Sequence, residues 1–135
     1  MSERLTNAQT LLDVRQQISG KSKVIASTRD LTAATGAVSY TGVGFRPSKV
    51  IAFGAVLFSI GSFGFADSAR TARVIHNTGG GTTFYASSAL MLFETASNNY
   101  QTCGVDSYDS DGFTVTWTKV NSPTGTASVY FLCLG

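Results

Sequence analysis

The 135-residue chain has one histidine, one tryptophan, two cysteines and two prolines, and only 13% of its residues are charged. With His76 as the sole histidine, any Ser-His or Cys-His nucleophilic system has to use it. Beside the polar stretch 77–83 it reads as a solvated or hydrogen-bonded surface group, so the expectation is no enzyme. Cys103 and Cys133 offer no zinc-ligand spacing. They can bond to each other only if their strands are neighbours, and in a reducing compartment they read as small buried hydrophobes. No run approaches the roughly 20 apolar residues of a membrane span, and the start Met1-Ser2-Glu3-Arg4 lacks the apolar stretch of a secretory leader. The expectation is a soluble product made in the cytoplasm, with no membrane partner. Average soluble chains are about one quarter charged. Here Thr, Ser, Gly and Ala stand in for charge beside 43% apolar residues, a balance that suits sheets, tight turns and subunit contacts in an assembled structural protein.

The small net charge of +2 is unevenly spread. Residues 1–50 carry seven basic and three acidic side chains, and the remainder three basic and five acidic. The basic residues are scattered singly, without the clustering and interleaved aromatics of a nucleic-acid interface, so nucleic acid is not an expected partner. A basic arm meeting an acidic protein surface fits the pattern better.

The N-terminal segment differs from the rest. Thr6-Asn7-Ala8-Gln9 has capping-box spacing, and Ala8, Leu11, Leu12, Val14, Arg15 and Ile18 follow with the period of an amphipathic helix ending at Gly20. At about three turns such a helix needs a docking partner. It either caps its own domain or reaches a neighbouring subunit, and Arg4, Leu11, Leu12, Arg15 and Ile18 are its candidate contact residues. The domain reading is therefore an arm over 1–22 and one β-domain over 23–135, long enough to bury roughly two thirds of its unfolded surface.

Beyond the arm, strand signals dominate. A short strand is expected at 23–26, a polar loop at 28–36, and strands at 37–40, 49–58, 69–75 and 89–94, with 61–67 a turn or bulged strand and 77–83, with its three successive glycines, an exposed hairpin tip. Asp111-Gly112 suits a tight turn with positive φ between strands at 101–108 and 113–118. Phe113, Val115 and Trp117 alternate with Thr114, Thr116 and Thr118, the period of a half-buried strand. The final run 129–134 is apolar on both faces and has to be covered by a sheet, a packing layer or a subunit. Seven to nine short strands point to an all-β antiparallel sandwich or jelly roll rather than a barrel.

Two motifs carry a resemblance. Thr41-Gly42-Val43-Gly44-Phe45-Arg46-Pro47 ahead of a long apolar strand, and Asp111-Gly112-Phe113-Thr114-Val115-Thr116-Trp117 before a last strand ending at Gly135, resemble a β-sandwich module of tailed-bacteriophage structural proteins over residues 37–135. The resemblance implies a non-catalytic virion component without a cofactor, and marks Gly42, Gly44, Phe45, Pro47, Asp111, Gly112, Phe113 and Trp117 as its structural positions. A capsid decoration or cement protein at the capsid surface, bound to the major capsid protein, is the leading expectation. A homo-oligomer is expected with it, and a trimer suits three-fold positions of a shell. A tail- or head-fibre tip that attaches to host surface glycans is the alternative, and the N-terminal segment is too short for a fibre shaft.

Other chemistries find weaker support. Glu94 with Asp106 or Asp109 is the candidate carboxylate set for glycoside hydrolysis. Asp106, Asp109 and Asp111 alternate as calcium ligands do, but the register puts Ser107 and Thr118 where carboxylates are required, and turn chemistry explains the acids. No metal is therefore expected. Gly79-Gly80-Gly81 lacks the Lys-Ser/Thr ending of a phosphate cradle. Tyr85, Tyr100 and Tyr108 are candidates for stacking on sugar.

Overall fold

Alternation of apolar and polar side chains resolves into ten strands in the computed structural model, which describes residues 21–57, 60–78, 82–85 and 88–135. They are β1 (Ser22–Asp30), β2 (Gly36–Tyr40), β3 (Lys49–Val56), β4 (Ile60–Ala66), β5 (Ala72–Thr78), β6 (Thr82–Tyr85), β7 (Met91–Ala96), β8 (Asn99–Asp109), β9 (Gly112–Val120) and β10 (Thr126–Leu134). One sheet has the order β1-β10-β3-β4-β5-β6 and the other β2-β9-β8-β7. Every pairing is antiparallel. The described residues contain no helix, and the expected helical arm falls within 1–20, outside them.

The two ends of the chain are wound together. β1 pairs with β10 in the larger sheet, while β2 pairs with β9 in the smaller. Between them the chain runs as hairpins, from β3 to β6 and from β7 to β9. One apolar core joins the two sheets and takes Val50 and Ala52 from β3, Val129 and Phe131 from β10, Phe93 from β7 and Trp117 from β9. Across the interface Tyr40 and Phe113 meet Phe131 at ring separations of 4.7 and 5.0 Å. Such sandwich-like packing of two antiparallel sheets sets each strand's buried parity.

Several boundaries differ from the sequence expectation. β1 extends to Asp30 rather than ending near residue 26, because all nine of its residues find partners on β10. Residues 60–66 are a regular strand held on both sides by β3 and β5. β5 starts only at Ala72, since 67–71 form a turn in which the Arg70 amide donates to the Asp67 carbonyl and the Thr71 amide to the Asp67 carboxylate. The β8–β9 hairpin is present, with Asp109 opposite Gly112, but its turn is not of the primed kind. Positive φ occurs at neither Asp111 nor Gly112. Gly112 is needed for room: a Cβ there would lie 1.8 Å from the Tyr40 carbonyl oxygen.

Candidate functional site

The two motif segments meet in space as a clasp across the end of the smaller sheet. Gly42 and Gly44 take φ of +84° and +87°, values that disfavour any side chain, and this turns their amides toward Asp111. The two carboxylate oxygens of Asp111 accept from the Gly42 and Gly44 amides at 3.1 and 2.7 Å, and its carbonyl accepts from the Val43 amide at 3.1 Å. Phe45 packs against the core from this loop, and Pro47 is buried behind it. Phe113 and Trp117 point inward from β9, where the Trp117 indole N–H donates to the Tyr40 hydroxyl at 3.3 Å. Asp111→Ala removes both carboxylate acceptors, and an expected loss of about 1–3 kcal/mol in folding free energy follows from hydrogen bonds to a charged group. A urea midpoint equal to that of the parent chain would show that water replaces the clasp without cost.

Trp117 is further held by residues that the motifs do not contain. The Arg29 guanidinium lies 5.2 Å from the indole centroid. Gln101, fully buried on β8, accepts from Arg29 Nε at 3.0 Å and donates to the carbonyls of Leu31 and Ala33 at 2.9 and 2.8 Å. One polar side chain thus ties β8 to β1 and to the loop after it. Sequence reasoning passed over Gln101; its shared parity with Cys103 and Val105 was the available signal that it faces inward.

The candidate catalytic and metal residues disperse. Glu94 stands opposite Tyr100, and Asp106 lies six residues further along β8. At strand rise that is ~20 Å, well beyond the ~5–10 Å of a glycosidase pair. Asp106 accepts from the Thr116 hydroxyl, Asp109 from Thr114 and Ser107, and Asp111 from the glycine amides, so each acid serves its own donors. The hydroxyls of Thr114 and Ser107 hold the Asp109 carboxyl below its ordinary range. Residues 79–81 lie outside the described residues, as do Arg4, Leu11, Leu12, Arg15 and Ile18. Tyr100 and Tyr108 are half-buried rather than displayed, and the Tyr108 hydroxyl donates to the Asp67 carbonyl at 2.8 Å. The side chain of Tyr85 is not among those described.

His76 is buried, at 4% exposure, and not at the surface, where its place beside a loop suggested a solvated or hydrogen-bonded group. β5 turns it inward opposite Ser62. Burial lowers its pKa below the ordinary imidazole value, opposed by the nearby Glu94 carboxylate. A depressed folded pKa means that the neutral form is favoured in the native state. The stability it contributes is present above the unfolded value of about 6.5 and is lost as pH falls below it. Melting temperature should therefore fall between pH 7 and pH 5, and His76→Gln should flatten that part of the profile. An equal slope in the variant would place the dependence on other groups.

Cys103 and Cys133 lie on different sheets, both buried and both free thiols. Burial raises the pKa of each, that of Cys133 to about 11. Since the thiolate is the nucleophile, neither should react with a thiol reagent at pH 8 until the chain is denatured, when both should. Titration of the native protein with a chromogenic disulfide checks this, and one rapid equivalent would contradict it.

The outer faces of the two sheets contrast sharply. The smaller sheet presents Ser39, Thr102, Asp106, Thr114, Thr116 and Thr118, with Ser39 and Thr114 hydroxyls 2.8 Å apart. Beside this face run two adjoining depressions of about 340 and 410 Å³ that share Arg70 and Asp106. Arg46 and Arg70 reach over this groove to donate to the carbonyls of Tyr108 and Asp106. Arg70 does so from a left-handed backbone, at φ 65°. The larger sheet instead turns aromatic and aliphatic side chains outward, with Phe53, Phe65 and Tyr130 each about half exposed. Compared with known proteins, the chain matches no family model, no curated protein and no solved structure.

Proposed function

We propose that this chain is a non-catalytic structural protein of a tailed-bacteriophage virion, acting as a capsid decoration protein that binds the assembled head. The observation that carries the reading is the clasp. The TGVGFRP and DGFTVTW segments on which the phage resemblance rests are 60 or more residues apart, and they join through Asp111 to Gly42 and Gly44 as one supporting device. Residues engaged in bracing a fold leave recognition to surfaces, as a shell-binding protein requires. The winding of β1 and β2 against β10 and β9 supports a β-sandwich of jelly-roll-like kind. Contacts repeated at many symmetric sites then stabilise the shell by favouring its assembled form.

Cryo-electron microscopy of the particle that carries the protein tests the proposal. Many copies at symmetric positions on the head are expected, with residues 1–20 contacting the shell or a neighbouring copy. Absence of the protein from purified particles overturns the virion reading. A few copies on the tail or on projecting fibres would move the function to the second reading, attachment to host surface glycans. The groove bounded by Arg46, Arg70 and Asp106 favours that alternative, since guanidinium and carboxylate groups beside hydroxyls suit a sugar.

A further inference from the structure

A sheet with one face on the core normally turns polar side chains to water on the other. The smaller sheet obeys this rule and the larger one breaks it over a defined area. Register places Val24, Leu132, Ile51 and Phe65 in one transverse row across β1, β10, β3 and β4, which ends on Arg73 of β5. The next row holds Ala26, Tyr130, Phe53, Phe63 and Ile75 and reaches β5. Five of these side chains are 44–58% exposed: Val24, Phe53, Phe63, Phe65 and Tyr130. The rows on either side carry no aromatic ring and bring in polar groups, with Thr28, Ser128, Ala55, Gly61 and Asn77 above and Ser22, Leu134 and Lys49 below. An apolar band between polar margins has the anatomy of a protein interface rather than of a solvated sheet.

Size and charge both point to the occupant. A large aromatic side chain has roughly 150–250 Å² to bury, so four about half-exposed rings and Val24 leave on the order of 450 Å² of apolar surface. That lies within the upper range for monomers. With the polar margins added, it approaches the ~800 Å² per partner of a standard interface. On the lower margin a cation and an anion stand side by side. The pairing of Val50 with Ala66 continues to place Lys49 beside Asp67, and both line a shallow depression with Ile51, Phe65 and Leu134. A two-fold axis parallel to the strands, midway between β3 and β4, lays β3 of one copy over β4 of the other. Phe53 then meets Phe63, Ile51 meets Phe65, and each Lys49 meets an Asp67 of the second copy. The same operation lays β10 over β5, so that Tyr130 meets Ile75 and Leu132 meets the stem of Arg73, and the central strands match themselves as an isologous interface requires.

We infer that the outer face of the β1-β10-β3-β4-β5 sheet is a self-association surface that joins two copies of this chain face to face, with Lys49 and Asp67 pairing across the two-fold axis. The proposal stands apart from the virion reading, because its test uses the purified full-length protein alone. Sedimentation equilibrium from about 1 to 100 μM should show a dimer. Phe53→Asp, on an exposed position, should give a folded monomer by circular dichroism. Lys49→Glu and Asp67→Lys should each weaken the dimer by about tenfold or more at low salt, since each creates two like-charge contacts. An equimolar mixture of the two should associate better than either alone, because both contacts in the mixed dimer are again opposite in sign. That rescue distinguishes lost pairing from a damaged turn at Asp67. The proposal is overturned if the parent chain stays monomeric to 100 μM, if Phe53→Asp leaves the dimer intact, or if the mixture associates no better than its components. It is overturned equally if dimers form only after residues 1–20 are removed, which would make that segment the cover of the band.

Discussion

Gly112→Ala is expected to lower folding stability by at least about 3 kcal/mol, the upper end of what overpacking costs. The added methyl would lie 1.8 Å from the Tyr40 carbonyl oxygen, 2.9 Å from its carbon and 3.2 Å from the Thr41 Cα. These are backbone atoms at the end of β2 and of the residue after it, so no rotamer change relieves the clash. Either β2 moves off β9 or the Asp111 clasp opens, and both outcomes strip contacts from Tyr40 and Phe113. Gly36→Ala is the matched control on the same strand pair, opposite Trp117. A Cβ at Gly36 meets nothing within 4 Å, and its φ is not positive. Loss of unfolded-state entropy should leave that variant unchanged or more stable by up to about 1 kcal/mol. Urea unfolding followed by circular dichroism compares the two, and equal midpoints would mean that the hairpin shifts without resistance.

Trp117→Ala should cost about 3–5 kcal/mol, a large share of the 5–15 kcal/mol typical of a domain. The indole is fully buried, lies 6.3 Å from the Phe93 ring and donates to the Tyr40 hydroxyl. Its removal leaves a cavity between the sheets and takes the aromatic surface from under the Arg29 guanidinium. Trp117→Phe should recover much of the loss, because it refills most of the volume and forgoes one hydrogen bond. Heat or urea unfolding by circular dichroism measures both variants, which lack the only tryptophan. A cost below about 1 kcal/mol for Trp117→Ala would show that the two sheets collapse onto the vacancy.

Residue by residue, the legible parts were those governed by local periodicity. Phe113, Val115 and Trp117 were placed on the buried face of their strand by alternation alone, and the structure buries all three. The all-β class followed from the same reasoning, whereas the hairpin turn, expected at Asp111-Gly112 with positive φ, falls one residue earlier and without it. The reason for Gly112 did not, since close approach to Tyr40 depends on a strand 72 residues earlier. His76 was misplaced for a similar cause. Its polar neighbours suggested solvent, while the parity of Ala72 and Val74 turned it inward. Arg29 and Gln101 meet only because β1 and β8, on opposite sheets, close over one core.

The sequence by itself determined that this chain forms short antiparallel strands, because a period of two and the spacing of turn residues act over a few neighbouring residues. It also showed that β10 is apolar on both faces and so needs cover on each. Only the tertiary structure decided where that cover comes from. The inner face of β10 meets the smaller sheet, while its outer face joins Phe53, Phe63 and Phe65 in an apolar band. Alternation assigns residues to two faces, but which face meets another layer depends on long-range pairing, and no local pattern encodes that choice.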